Sequence, residues 1–81
     1  MTVLFADGLP EIFAALPEDA KRNAARSIDL LSTHPRMYPI RRRGLLRGYR
    51  YLIADRFLFY PAVSSIEIRI AAIIPAAMRQ A

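Results

Sequence analysis

The chain has 81 residues, of which 54% are hydrophobic, and it carries a net charge of +5 with a sequence pI of about 10.5. This length predicts a single domain, residues 1–81, with a core near the lower limit for independent folding. The sequence contains no cysteine, which excludes disulfides and thiolate metal sites. It also has no apolar run of about 18 residues and no pattern of a secretory signal peptide. We therefore expect a cytoplasmic protein that does not enter a membrane.

The positive charge is concentrated in the second half of the chain. Residues 1–34 carry three basic and five acidic side chains, a net charge of −2, whereas residues 35–81 carry nine basic and two acidic, a net charge of +7. Eleven of the twelve basic residues are arginine, and the planar guanidinium group suits contacts with phosphate and carboxylate. The second half is therefore expected to contact a polyanion or an acidic protein.

The first half predicts one strand and two helices. Residues 2–6 are apolar and partly β-branched, which favours a strand. Pro17 ends a short helix that follows and also suits the first position of a second helix, residues 17–33. His34 and Pro35 stop this second helix, because a residue before proline disfavours α geometry. Four apolar residues recur at helical spacing in the first helix: Leu9, Ile12, Phe13 and Leu16. Four more, joined by Leu30, form the apolar stripe of the second: Ala20, Ala24, Ile28 and Leu31.

The second half predicts a basic loop, residues 36–47, followed by strands at 49–54, 57–60 and 65–74. The link at residues 54–56 is short enough for a hairpin, and Pro61 either ends the third strand or lies on an edge. In the last strand, alternation predicts an inward set: Ile66, Ile68, Ile70, Ala72 and Ile74. The fold expected is α+β, with an N-terminal strand, a helical hairpin and a three-stranded antiparallel meander, the helices lying on one face of an antiparallel sheet.

No residue set in the sequence identifies a hydrolytic or metal site. His34 is the only histidine, the carboxylates are scattered, and no glycine-rich phosphate loop is present. We interpret His34 as a helix C-terminal residue that meets the last carbonyl groups. Neither a metal nor a cofactor is expected.

Eight of the nine arginines in residues 36–81, interleaved with Tyr49, Tyr51 and Tyr60, predict a ribbon of strands with an arginine-rich exposed face. Phosphate contact and base stacking use these residue types, so the face would bind nucleic acid or an acidic protein. The alternative is a solvated face that only keeps the domain soluble. The arginines are Arg41, Arg42, Arg43, Arg47, Arg50, Arg56, Arg69 and Arg79.

Four segments follow one another in a characteristic order: LLSTHP at 30–35, RMYPIRRRGLLRGYRYL at 36–52, FLFY at 57–60 and IEIRIAAIIPAAMR at 66–79. In order and spacing they resemble toxins of the RelE/ParE superfamily from bacterial type II toxin–antitoxin systems. The resemblance covers nearly the whole chain and implies a helical hairpin over an antiparallel sheet.

The superfamily divides into RelE-like members, which cut mRNA in the ribosome, and ParE-like members, which poison DNA gyrase. The chain is closer to the ParE-like branch, because Phe57 stands where RelE-like toxins place an arginine and no Tyr or His follows Tyr60. Residues 57–60 resemble the ParE-like hydrophobic strand that ends in Tyr. The tail resembles the ParE-like ending, from which it departs at Pro75, Ala77 and Arg79.

The resemblance implies a toxin that inhibits growth by binding gyrase and forms a hetero-oligomer with a cognate antitoxin, without covalent chemistry. The alternatives are a RelE-like ribosome-dependent mRNA endonuclease and a plain nucleic-acid-binding module. The target-binding residues expected are Arg41, Arg42, Arg43, Arg47, Arg50, Arg56 and Arg79. The antitoxin would contact Leu9, Ile12, Phe13 and Leu16. A nuclease would use Arg50, Arg56, Tyr60, Arg69 and Arg79.

Overall fold

The computed structural model describes residues 2–76 and shows an α+β fold. The elements in chain order are β1 Thr2–Phe5, α1 Leu9–Ala14, α2 Glu18–Leu31, β2 Leu52–Ala54, β3 Phe57–Val63 and β4 Glu67–Pro75. The strands form one sheet in the order β1-β4-β3-β2. The predicted α+β class is thereby confirmed.

The sheet is mixed, so the prediction of an antiparallel sheet is wrong at one edge. β2, β3 and β4 pair antiparallel in sequence order, but β1 pairs parallel with β4, with Val3 opposite Ile68 and Phe5 opposite Ile70. Parallel pairing requires a long connection between the strands. The two helices and the following strands supply it, because they all separate β1 from β4 along the chain.

Both helices cover the same face of the sheet and form the core with it. The predicted apolar stripe of α2 is confirmed for four residues, which are all buried, but Leu30 is 42% exposed and does not belong to it. Ala20 and Ala24 are fully buried, and their small side chains permit close approach to the sheet. The sheet contributes Leu52, Ala54, Phe59, Ile68, Ile70 and Ile73. Within residues 2–76, neither helix has the length and apolar character needed to cross a membrane.

The helices are shorter than the sequence predicts. α1 ends at Ala14 and not at Leu16, and α2 ends at Leu31, two residues before the predicted end. After α2, the N–H groups of Thr33 and His34 both donate to the carbonyl of Leu30. These bonds tighten the last turn and satisfy a free helical carbonyl. His34 therefore meets a helical carbonyl through its backbone, whereas its ring Nδ1 lies 2.9 Å from the Thr33 hydroxyl oxygen.

The predicted inward alternation of the last strand holds for Ile68 and Ile70 and is wrong at Ile66 and beyond Ile70. The register shifts between Tyr60 and Pro61, so that Tyr60 pairs with Ala72 and Pro61 with Ile70. Proline has no N–H to donate to the ladder, and a bulge accommodates this loss. After the bulge Ile73 joins the core in place of Ala72 and Ile74. Ile66 precedes β4 and is exposed.

The turn between β2 and β3 confirms the predicted hairpin and gives a first testable prediction. Ala54 pairs with Phe57 across it, and Asp55 has a φ of 59°. Only glycine, asparagine and aspartate enter this left-handed region readily. We expect Asp55→Val to lower the free energy of unfolding by about 1–2 kcal/mol, while Asp55→Gly causes no loss. Urea unfolding measures the stability of both variants. Equal stabilities would show that a positive φ at position 55 does not strain a valine.

Candidate functional site

The arginine loop, residues 36–50, is a short hairpin that precedes β2. Its arms pair through a bridge between Ile40 and Arg50, and the N–H of Arg41 donates to the carbonyl of Tyr49 at 2.8 Å. The N–H of Tyr51 donates to the carbonyl of Pro39 at 3.0 Å. Residues 49–51 thus pair with the first arm of the loop. This is why β2 begins at Leu52 and not at the predicted residue 49.

The tip of the arginine loop is fixed by glycines and by one arginine. Gly44 and Gly48 have φ values of 86° and 94°, in the left-handed region that suits glycine. The N–H of Gly48 donates to the carbonyl of Arg41, and the Arg41 Nε donates to the carbonyl of Arg43 at 2.9 Å. Leu45 lies at this tip and is fully exposed. The loop therefore presents an apolar side chain between basic ones.

The predicted ribbon of strands with an arginine-rich face is wrong. Within residues 2–76, Arg69 alone among the arginines lies in a strand of the sheet. Residues 58–61 of β3 are all buried. Burying an unpaired charge there would cost on the order of several kcal/mol. The arginines therefore lie mostly in the loop, which is exposed to water.

An open groove of about 850 Å³ lies between the arginine loop and the end of β3. One wall consists of Pro35, Arg36 and residues 47–50, and the other consists of residues 61–65. Among the described residues that line the groove, three are arginine and none is acidic. A cleft lined by one sign of charge focuses the electrostatic field and attracts ligands of opposite charge.

The three arginines of the groove differ in how firmly they are held. The Arg50 Nη1 donates to the carbonyl of Tyr38 at 2.8 Å, and the side chain is half-buried. Arg36 and Arg47 are exposed, and within residues 2–76 neither forms an ion pair with a carboxylate. Arg50 therefore supplies a fixed charge, while Arg36 and Arg47 remain available to a ligand.

The structure does not bring all of the predicted nuclease residues together, because Arg56 lies apart from the groove. Arg56 lies in the β2–β3 turn, at the opposite end of β3 from the groove, since Ala62 is five positions along the strand from Phe57, roughly 17 Å. Tyr60 is only 1% exposed, with its ring 6.1 Å from that of Tyr51. Arg69 pairs with Ala62, which lines the groove, and its Nη2 lies 3.5 Å from the Glu67 Oε2. Arg79 lies outside the described residues.

The predicted target-binding residues are largely neighbours in the chain. Arg41, Arg42, Arg43, Arg47 and Arg50 all belong to the arginine loop. Arg47 and Arg50 also line the groove. Arg56 stands apart from this group.

The four predicted antitoxin-binding residues divide between core and surface. Leu9 and Leu16 are buried. Phe13 is half-buried, with its ring 5.2 Å from that of Phe5 and 6.2 Å from that of Phe59. Ile12 is 46% exposed and is the member of the set that a partner would reach most directly.

Two residues of the site are not predicted from the sequence. Arg36 lines the groove only because the fold brings it near residues 61–65, and no local pattern signals this. The surroundings of Leu45 in the sequence do indicate that its side chain is exposed. It follows three arginines and a glycine in a stretch without periodicity, where an apolar residue has no core to enter.

The groove suits binding better than covalent chemistry. Of its described lining residues, Tyr49 is the one whose side chain belongs to the usual general acids and bases. Elsewhere in residues 2–76, no three His, Asp or Glu side chains come together as metal ligands would. Comparison with known proteins adds no assignment, since no protein-family model and no curated protein matches the chain.

Proposed function

We propose that this chain is the ParE-like toxin of a type II toxin–antitoxin pair, which inhibits growth by binding DNA gyrase through the arginine loop and the groove. The observation that carries the proposal is the groove itself, where three arginines meet without an acidic residue among the described lining. Such a surface binds a charged target but offers no acid–base pair for cutting one. The order of strand, two helices and three strands is the one that the family resemblance implies and supports the proposal, although β1 pairs parallel with β4.

The proposed target, gyrase holding DNA, has two kinds of surface that suit this loop. DNA phosphates suit the arginines. An apolar pocket on the protein would accept Leu45, because interface anchors are typically apolar or arginine side chains surrounded by a polar rim. Leu45 and its neighbours Arg42 and Arg43 are all exposed.

Two alternatives remain proposals with less support. A ribosome-dependent mRNA nuclease would need Arg50, Arg56 and Tyr60 to meet at one phosphate, whereas Arg56 lies at the opposite end of β3 from the groove and Tyr60 is buried. A plain nucleic-acid-binding module is favoured by Arg36, Arg47 and Tyr49 in the groove. It differs from the toxin in causing no growth arrest.

The antitoxin is proposed to bind at a second site, beside β1 and the helices. An apolar cleft of about 280 Å³ lies there, lined by residues that include Val3, Phe5, Phe13 and Ile28. Val3 and Ile12 are exposed large apolar residues of this region. An amphipathic helix would cover them, and its acidic residues would reach toward the basic half of the chain.

Two assays on the same induced cells test the proposed function. Plasmid supercoiling should fall, with cleaved DNA trapped on gyrase, while primer extension on abundant transcripts shows no new ends. Codon-phased cuts that disappear in Arg56→Ala, with supercoiling unchanged, would overturn the proposal in favour of the nuclease.

Leu45 gives a second, more local prediction. We expect Leu45→Ala to weaken binding to gyrase by about tenfold, the effect of losing a modest interface anchor, without changing the melting temperature. Leu30→Ala removes the same atoms from an exposed position on α2 and serves as the control. Titration calorimetry with purified gyrase measures both affinities, and equal losses in the two variants would exclude Leu45 as an anchor.

A further inference from the structure

We infer that the groove binds a single-stranded nucleic-acid segment, with phosphates on Arg36 and Arg47 and one unpaired base on the ring of Tyr49. The inference rests on the proposed function in one respect: both assign target binding to the same surface. It adds the class of ligand that the groove accepts. The shared chemistry is an exposed base and a phosphodiester backbone, which DNA and RNA both offer.

The phosphate part of the inference comes from the charges. Arg36 and Arg47 are exposed and without a carboxylate partner in residues 2–76, and the half-buried Arg50 adds a third positive charge between the same walls. A guanidinium group donates two parallel hydrogen bonds to a phosphate. Successive phosphates of one strand would therefore find successive donors along the groove.

The base part of the inference comes from Tyr49. Its backbone is held on both sides, since its N–H donates to the carbonyl of Leu46 at 3.1 Å and its carbonyl accepts from the N–H of Arg41. Tyr49 nevertheless lines the groove and is 37% exposed. A ring on a fixed backbone, open on the groove side, is a platform for stacking.

The remaining walls also suit an unpaired base. Pro35, Pro61 and Val63 give the groove apolar surface beside the arginines. The face of an unpaired base can lie against such surface, but the bases of a duplex are stacked on one another and present only their edges. The groove is therefore expected to prefer a single strand to a duplex. An acidic peptide would satisfy the arginines but would gain nothing from the tyrosine.

Fluorescence anisotropy on the purified full chain tests the inference. The probes are a labelled single-stranded DNA of about ten nucleotides, within the usual range of such sites, the RNA of the same sequence, and the DNA duplex. We expect Arg36→Ala and Arg47→Ala each to weaken binding and to reduce the salt slope by about 0.7. Tyr49→Ala should weaken single-strand binding by at least about fivefold and remove the preference over duplex. Tyr49→Phe keeps the ring and should bind like the parent chain.

Arg26→Ala is the matched control, because Arg26 is exposed on α2, and the variant loses the same charge. A loss of affinity in Arg26→Ala as large as in Arg47→Ala would overturn the inference, as would equal affinity for the duplex. Displacement of the DNA by a poly-glutamate peptide as effectively in Tyr49→Ala as in the parent chain would assign the groove to acidic protein instead. The DNA and RNA probes show which strand is preferred, and binding of either supports the inference.

This assay separates the inference from the proposed function. Gyrase inhibition by a chain that binds no oligonucleotide would overturn the inference and leave the toxin proposal standing. If the chain binds oligonucleotides through Tyr49 but does not affect gyrase, the inference stands and the toxin proposal is overturned.

Discussion

Replacing Phe59 by alanine is expected to lower the free energy of unfolding by about 3–5 kcal/mol. Phe59 is fully buried in β3. Its ring packs edge-on against that of Phe13 in α1, which in turn contacts Phe5 in β1. The three rings join the centre of the sheet to a helix and to the edge strand. The substitution would therefore leave a cavity where three elements meet.

A loss of this size is a large part of the total stability. A domain of this length is stable by roughly 4–12 kcal/mol, so the variant is expected to be partly unfolded at room temperature if the parent chain lies at the lower end. Urea unfolding followed by circular dichroism measures the change. Leu45→Ala, at a fully exposed position, should change stability by less than about 0.5 kcal/mol. A Phe59→Ala variant as stable as Leu45→Ala would contradict the described core.

Reversing the charge of the groove is expected to abolish growth inhibition. The double variant Arg36→Glu/Arg47→Glu replaces the two groove arginines that lack a carboxylate partner in residues 2–76. It places two carboxylates where a phosphate or an acidic side chain would bind. Like charges that face one another at an interface lower the binding free energy by roughly several kcal/mol. Induced cells carrying this variant should grow at the rate of uninduced cells.

The control variant carries the same charge change elsewhere. Arg22→Glu/Arg26→Glu also lowers the net charge by four, from +5 to +1, but both residues lie on α2 and are exposed. It loses the ion pair between Arg22 and Asp19, whose charged atoms are 2.7 Å apart. Such a pair contributes only about a few tenths of a kcal/mol to stability. Growth curves with matched expression levels compare the two. If both variants lose toxicity equally, net charge and not the groove is responsible.

The elements with strong local signals were predictable from the sequence. The apolar stripe of α2 and the short link at Asp55 were both visible as patterns, and the structure contains the helix and the hairpin. Their formation depends mainly on helical periodicity and on a turn residue that accepts a positive φ. The α+β class followed from the order of these elements.

The parts that depend on pairing between distant residues were not predictable. The strand β2 is shorter than the predicted strand at residues 49–54, because residues 49–51 pair with the first arm of the arginine loop. The alternation of β4 failed at the bulge that Pro61 requires. Local patterns carry no information about which strand will pair with which, or about where a proline will meet a ladder.

The candidate site was predicted in composition but not in place. The sequence indicated arginine and tyrosine as the binding residues, and Arg47 and Arg50 do line the groove with Tyr49. Arg56 and Tyr60 were grouped with them by closeness in sequence, yet one lies in a distant turn and the other is buried. Arg36 joined the groove through the fold alone.

The most direct test of the proposed mode of action is supercoiling of relaxed plasmid by purified DNA gyrase in the presence of the purified chain. Growth inhibition by target binding requires the chain to inhibit supercoiling in a dose-dependent way and to trap cleaved DNA. Arg36→Glu/Arg47→Glu should do neither, and Arg22→Glu/Arg26→Glu should act like the parent chain. Unchanged supercoiling at concentrations of a chain that arrests growth in cells would contradict gyrase as the target.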